Sequence, residues 1–110
     1  MAKQLIADLY DCGGIINNPE AIKEAARKVI KLVGAEIVEE CIHEFEPFGL
    51  TYFAVITTSH FSVHTWPEYR YAAIDIFSCS DTVVDGISDK LKELFEAKKV
   101  KIRIIERDFK

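Results

Sequence analysis

Residues 35–57 read AEIVEECIHEFEPFGLTYFAVIT, and this stretch predicts a β-hairpin. Its two halves, 35–45 and 50–57, are rich in β-branched and aromatic residues, which favour strands. The connection from Glu46 to Gly49 contains proline and glycine and has a length that commonly joins antiparallel strands. The two segments are therefore expected to pair as antiparallel strands of a hairpin.

Three further strands are expected outside the hairpin. Apolar residues alternate along 4–10, at positions 5, 7 and 9, and predict a half-buried strand. Residues 71–78 are also β-rich, and 100–104 alternate apolar with basic side chains.

Two helices are expected, one on each side of the hairpin. Asn18 before Pro19 is a favourable N-cap and first-turn pair for a helix that stops at Gly34. Thr82 begins a capping-box pattern, after which apolar residues recur every three or four positions to Phe95. The element order β-α-β-β-β-α-β predicts an α+β fold, a two-layer α/β sandwich with both helices on one face of a mostly antiparallel sheet.

Composition sets the class of protein. The chain has 110 residues, 49% of them hydrophobic and 29% charged, so we expect a single globular domain over 1–110 rather than a disordered chain. The net charge of −4 argues against binding to nucleic acid or to a membrane surface. Three cysteines without a C-x-x-C pair, and a start that lacks an apolar leader segment, predict reduced thiols and a cytoplasmic location.

The strands carry apolar residues on both faces, as Ile6 beside Leu5 and Val55 beside Ala54 show. An antiparallel sheet with one wet face alternates cleanly instead. We therefore predict a homodimer that covers the face without helices. The alternative is that this face simply carries ordinary exposed apolar area.

Reactive side chains are densest in 58–69, TSHFSVHTWPEY. A serine hydrolase is not indicated, because the G-x-S-x-G elbow and a glycine-rich oxyanion loop are missing around Ser59. His60, His64 and Cys79 are candidate metal ligands, but no second cysteine or carboxylate stands at ligand spacing, so no metal is expected.

Residues 59–79, SHFSVHTWPEYRYAAIDIFSC, resemble the pattern S-H-x-[ST]-I-H-T-W-P-E-x-x-Y-A-A-x-D-x-F-T-C of the prokaryotic S-adenosylmethionine decarboxylase family. Residues 9–12 (LYDC) and 43–49 (HEFEPFG) extend the resemblance over essentially the whole chain. It implies a pyruvoyl-dependent enzyme of polyamine synthesis whose substrate is S-adenosylmethionine.

The resemblance also implies a self-made cofactor. The Ser59 hydroxyl attacks the carbonyl of Thr58, the amide becomes an ester, and β-elimination cuts the chain to leave a pyruvoyl group. Thr51 and His64 match the positions that assist this step in relatives. The keto group then forms a Schiff base with the substrate amine and accepts the electrons of the departing carboxylate.

Other site residues follow from the same resemblance. Cys79 matches the proton donor, and a thiol with an ordinary pKa of ~8.5 suits that role. Glu68 matches a residue that binds the substrate ribose, and Phe45 and Phe61 are candidates to stack on adenine or to face the sulfonium. Asp8 stands where relatives usually carry glutamate, and is expected to bind substrate.

Departures from the family pattern leave two other interpretations open. Thr58 replaces the usual glutamate before the serine, which favours a non-processing homologue that acts as a binding or regulatory partner. Phe61 and Arg70 replace smaller residues, which favours a decarboxylase of arginine or ornithine. Ser59 and His64 are five residues apart and lie on opposite faces of a regular strand, so they meet only if the chain bends or the site is completed across a dimer interface.

Overall fold

A computed structural model describes residues 2–57, 59–78 and 86–108. The strands are β1 (Ala2–Tyr10), β2 (Ile37–Glu44), β3 (Leu50–Ile56), β4 (Ser59–Trp66), β5 (Tyr71–Ser78) and β6 (Lys99–Arg107), and the helices are α1 (Pro19–Leu32) and α2 (Ile87–Leu94). The strands form one antiparallel sheet in the order β2-β3-β4-β5-β1-β6. The predicted α+β two-layer sandwich is confirmed.

The predicted element order lacked one strand. Residues 59–66, interpreted above as a reactive segment between strands, form β4 and pair with β3 and β5. Phe61, Val63 and Thr65 point inward and are buried, whereas the residues between them are serine and histidine. The apolar–polar alternation covers only residues 61–64, because the next inward residue, Thr65, is polar and the next outward residue, Trp66, is apolar.

Both helices start and pack for identifiable reasons. The Asn18 side chain accepts a hydrogen bond from the Ala21 N–H at 3.1 Å, so the predicted N-cap of α1 is confirmed. Helix α2 buries Ile87 and Leu91. Its expected start at Thr82 lies outside the described residues.

The core lies between the helices and one face of the sheet, which we call the inner face. Tyr52 and Phe61 are among its largest fully buried side chains and meet edge to face, with ring centroids 6.2 Å apart. Neither α1 nor α2 covers the opposite, outer face, and its apolar side chains remain accessible: Val55 is 41% exposed and Trp66 is 40% exposed.

Three polar side chains tie α1 to the sheet. Arg27 of α1 forms an ion pair with Glu40 of β2, and the buried Tyr52 donates a hydrogen bond to the same carboxylate at 2.5 Å. The bond from Arg27 holds the pKa of Glu40 below its usual value. Burial, reinforced by the bond to Glu40, raises the pKa of Tyr52. The phenol therefore stays a donor at neutral pH.

Candidate active site

Polar and aromatic side chains gather on the outer face. One row crosses all six strands in register and consists of His43, Thr51, His64, Ala73, Asp8 and Lys101. These residues are spread over nearly the whole chain, and antiparallel pairing places them side by side. Three of the predicted site residues, Thr51, His64 and Asp8, stand in this row.

Thr51 and His64 face each other across β3 and β4. The threonine Oγ1 lies 2.8 Å from Nδ1 of His64, and both residues are half-buried. Because this hydrogen bond occupies Nδ1, it orients the ring and leaves Nε2 as the nitrogen that can exchange a proton with a ligand. The pair is an oriented acid–base group at the wall of a cavity.

The cavity has a volume of about 450 Å³, within the range of small-molecule sites. The hairpin connection, the ends of β3 and β4 and the turn after β4 enclose it, and its lining residues are Phe45, Glu46, Pro47, Phe48, Gly49, Leu50, Thr51, His64, Thr65, Trp66 and Glu68. It brings together four of the predicted residues, Phe45, Thr51, His64 and Glu68. These side chains supply an aromatic ring, a hydroxyl, an imidazole and a carboxylate. An aromatic ring can stack on an aromatic base, and the polar groups can form hydrogen bonds with ligand hydroxyls.

Gly49 allows the hairpin connection to approach the end of β4 closely. Its φ of +96° is a backbone conformation that favours glycine, and an added Cβ would lie 3.0 Å from the Thr65 carbonyl oxygen. Phe45, 51% exposed, packs its ring against His43 with centroids 4.6 Å apart. The hairpin connection thus presents an aromatic face at the mouth of the cavity.

Ser59 does not lie at this cavity. It is the first residue of β4 and pairs with Ile56, whereas His64 lies five residues further along the same strand. At a rise of ~3.3 Å per residue the two are roughly 16 Å apart along the strand, and the parity of β4 places them on opposite faces. No bend within the strand brings them together.

Ser59 and Ser78 lie at the same end of the sheet, because His60 pairs with Phe77. Ser78 is the last residue of β5 and directly precedes Cys79 in the chain. Thr58 and Cys79 lie outside the described residues. Both positions stay predictions.

Asp8 lies on the outer face of β1 and accepts a hydrogen bond from the Tyr71 hydroxyl. Burial, followed by this bond, raises the pKa of Tyr71. Its ring packs between Tyr10 and Trp66, with centroids 5.5 Å from each. Asp8 is therefore linked through two aromatic rings to the cavity wall.

The position of Phe61 differs from the expectation that it stacks on adenine. Its side chain is fully buried on the inner face, so it contributes to the core rather than to the outer surface. Position 61 is apolar because it belongs to the inward-facing residues of β4. The aromatic residues that line the cavity are Phe45, Phe48 and Trp66. Sequence reasoning gave no role to Phe48 or Trp66, although Trp66 shares the strand parity of His64.

Arg70 also lies outside this cavity. It adopts a left-handed conformation, with φ 53° and ψ 40°, and its Nε donates to the Cys12 carbonyl at 3.3 Å. It lines a separate cavity of about 240 Å³ beside the Cys12 thiol, whose pKa burial raises to about 11. Phe61 and Arg70 suggested a basic amino-acid substrate. Neither residue lines the cavity of about 450 Å³.

Among residues 2–57, 59–78 and 86–108, no cluster of three or more His, Cys, Asp or Glu side chains is placed to hold a metal ion. No helix in the described part of the chain has the length and apolar character needed to cross a membrane.

Sequence comparison identifies the relatives of the chain. A family model described as S-adenosylmethionine decarboxylase matches residues 3–108. The S-adenosylmethionine decarboxylase proenzyme of Thermosipho melanesiensis is 42% identical over 84 residues, which are 76% of this chain and 65% of that protein. The proenzymes of Thermosipho africanus and Thermotoga maritima are each 36% identical, over 93% and 97% of this chain and over 80% and 84% of their own lengths.

Solved structures show the same arrangement of elements. The adenosylmethionine decarboxylase of Aquifex aeolicus superimposes with a TM-score of 0.85 at 26% identity, over 97% of this chain and 90% of that one. The Trypanosoma brucei AdoMetDC-delta26 monomer shares the fold, with a TM-score of 0.62 at 16% identity over 93% of this chain and 45% of that one. The chain belongs to the S-adenosylmethionine decarboxylase family.

Proposed function

We propose that this protein is a self-processing, pyruvoyl-dependent decarboxylase that converts S-adenosylmethionine to its decarboxylated form for polyamine synthesis. The supporting observation is the cavity of about 450 Å³, in which the hydrogen-bonded Thr51–His64 pair meets Phe45 and Glu68. Within the family, that set of side chains suits an adenosyl substrate. Three cysteines without a C-x-x-C pair favour reduced thiols and therefore a cytoplasmic enzyme.

Ser59 fits the role of cofactor precursor. Its Oγ would bond to the Thr58 carbonyl carbon as the amide C–N bond breaks. Elimination would then break the Cβ–Oγ bond and release fragment 1–58 as a carboxylate, and water would hydrolyse the imine left on the second fragment to release ammonia and leave the pyruvoyl group. The cut falls between β3 and β4, where β3 still pairs with β2 and β4 still pairs with β5. Both fragments would therefore stay in the sheet. Once formed, the keto group supplies an electron sink for decarboxylation.

We assign Thr51 and His64 to processing and His64 also to proton transfer, acting on Ser59 of a second copy. The separation of Ser59 and His64 along β4 in one chain supports this assignment, and Ser59, as the first residue of β4, would turn its hydroxyl toward the outer face to meet the second copy. A homodimer that packs two outer faces together would also cover Val55 and Trp66, which are 41% and 40% exposed. We therefore propose that the active site is shared between two subunits.

Substrate binding is assigned to residues at the cavity and on the same face. Phe45 would stack on adenine, and the Glu68 carboxylate would accept hydrogen bonds from the ribose hydroxyls. Asp8 would attract the positive charge of the substrate. Cys79, the proton donor of the family pattern, would return a proton to the α-carbon after carbon dioxide leaves.

The intact mass of the denatured protein tests processing. We expect fragments 1–58 and 59–110, with the second fragment lighter than its serine form because it has lost ammonia. Ser59→Ala is the matched control and should remain one chain. A single uncut species after long incubation of the unsubstituted protein would contradict self-processing and favour a binding role.

Release of labelled carbon dioxide tests the substrate. We expect release from S-adenosylmethionine and none above background from arginine or ornithine. Cys79→Ala should leave cleavage of the chain intact and lower the rate of decarboxylation. That result would distinguish the role of proton donor from a role in processing. Release from arginine or ornithine alone would overturn the substrate assignment while leaving the processing chemistry in place.

A further inference from the structure

Tyr71 makes a hydrogen bond that the proposed chemistry does not use. Its hydroxyl donates to Oδ1 of Asp8, although the residue directly opposite Asp8 on β5 is Ala73. Tyr71 therefore reaches diagonally across the two strands, a distance that an aromatic side chain spans. Both residues are half-buried on the outer face.

The tyrosine ring is held in place from both sides. Tyr10 and Trp66 pack against it with centroids 5.5 Å away, and Trp66 also lines the cavity that holds the Thr51–His64 pair. A clamped ring fixes the direction of its hydroxyl, so the bond to Asp8 restricts the carboxylate to one orientation. Hydrogen bonds to ionised acceptors are stronger than neutral ones.

The Asp8 carboxylate makes no ion pair with a base among the described residues. Lys101 stands directly opposite on β6, yet no ion pair joins the two among residues 2–57, 59–78 and 86–108. The carboxylate is bound instead by a neutral hydroxyl, which orients it and leaves its charge intact. A carboxylate in that state is suited to recognise a cation.

We propose that Tyr71 is a positioning residue that aims the Asp8 carboxylate so that it recognises the positively charged centre of the substrate. This inference rests on the proposed function. It assigns cation selectivity to the Tyr71–Asp8 pair, whereas Phe45 and Glu68 bind the adenosyl portion that charged and neutral ligands share.

Ligand binding to the Ser59→Ala protein tests the proposal without requiring processing. Calorimetric titration compares S-adenosylmethionine with S-adenosylhomocysteine, its thioether analogue without the sulfonium charge. We expect Tyr71→Phe to weaken S-adenosylmethionine binding about tenfold, or ~1.4 kcal/mol, while the affinity for the thioether changes less than about twofold. Tyr10→Phe removes a hydroxyl from the same ring stack and should change neither affinity.

The double variant distinguishes positioning from packing. Asp8→Asn should cause the same selective loss, and adding Tyr71→Phe should weaken binding no further, because the tyrosine acts through the carboxylate. Three outcomes would overturn this inference and leave the proposed function standing. Tyr71→Phe could weaken the binding of both ligands equally, it could weaken neither, or the losses of affinity in Tyr71→Phe and Asp8→Asn could multiply in the double variant. A Ser59→Ala protein that binds neither compound would overturn the proposed function and the inference with it.

Discussion

The Thr51 hydroxyl lies 2.8 Å from Nδ1 of His64, and the two residues are direct partners across β3 and β4. Their backbones fix this contact, since neighbouring strands hold both positions in register. The pair therefore has its orientation before any substrate arrives. Such preorganisation is what an acid–base group needs to act without first reorganising.

Loss of the Thr51 hydroxyl should slow self-processing. Thr51→Val keeps the side-chain volume but releases the imidazole, and general acid–base groups contribute ~10²–10⁴-fold to rates, so we expect cleavage to slow at least tenfold. The time course of fragment formation by mass spectrometry measures it. Thr51→Ser retains the hydroxyl and should recover most of the rate; equal rates in all three proteins would contradict the assignment.

Two inactive variants should complement each other. Ser59→Ala and His64→Ala should each remain uncut as purified. If the proposed active site is shared, a mixed dimer brings Ser59 of the His64→Ala chain to His64 of the Ser59→Ala chain, so about half of the His64→Ala chains should be cut after equal co-refolding. Mass spectrometry distinguishes the two chains. If no cut chain appears although mixed dimers form, the shared active site is wrong.

The Arg27–Glu40–Tyr52 contact should make stability depend on pH. The pKa of Glu40 is lowered in the folded protein, so its contribution is present above the unfolded value of ~4.3 and is lost as pH falls through the folded value. Urea unfolding should show Glu40→Gln less stable than the unsubstituted protein at pH 7, with the difference shrinking towards pH 3. Glu39→Gln, at an exposed position of the same strand, is the matched control and should change the stability at pH 7 by less than ~0.5 kcal/mol.

A side chain at Gly49 should strain the hairpin connection. Gly49→Ala places a Cβ 3.0 Å from the Thr65 carbonyl at a φ of +96°, and left-handed backbone costs other residues ~1–2 kcal/mol. We expect a loss of that size in the free energy of unfolding. Gly14→Ala is the matched control because nothing lies within 4 Å of its added Cβ. Equal stability of the two variants would contradict the close approach.

Substitution by leucine should have opposite effects at Phe61 and Phe45, on stability at the first and on ligand binding at the second. Phe61→Leu removes buried volume from the core and should lower stability by about 1–2 kcal/mol while ligand affinity per folded molecule is kept. Phe45→Leu, at an exposed position beside the cavity, should change stability by less than ~0.5 kcal/mol and weaken adenosyl binding. If Phe61→Leu weakened adenosyl binding and Phe45→Leu did not, Phe61 rather than Phe45 would be the ligand contact.

Local sequence patterns predicted most of the fold. The hairpin around Pro47, the start of α1 at Asn18 and the closing strand follow from interactions between residues a few positions apart. Strand β4 was missed because its apolar–polar alternation covers only residues 61–64 and breaks at Thr65 and Trp66. Its identity as a strand depends on β3 and β5, which supply hydrogen-bond partners on both sides.

The sequence by itself determined the family pattern around Ser59 and the alternation that separates inner from outer residues, because both depend on order along the chain. Only the tertiary structure decided which reactive side chains share a cavity. It joined Thr51 to His64 and Asp8 to Tyr71, buried Phe61, and left Ser59 at the far end of β4. The physical reason is that distances between side chains on different strands are set by the register of antiparallel pairing, which spacing along one strand does not encode.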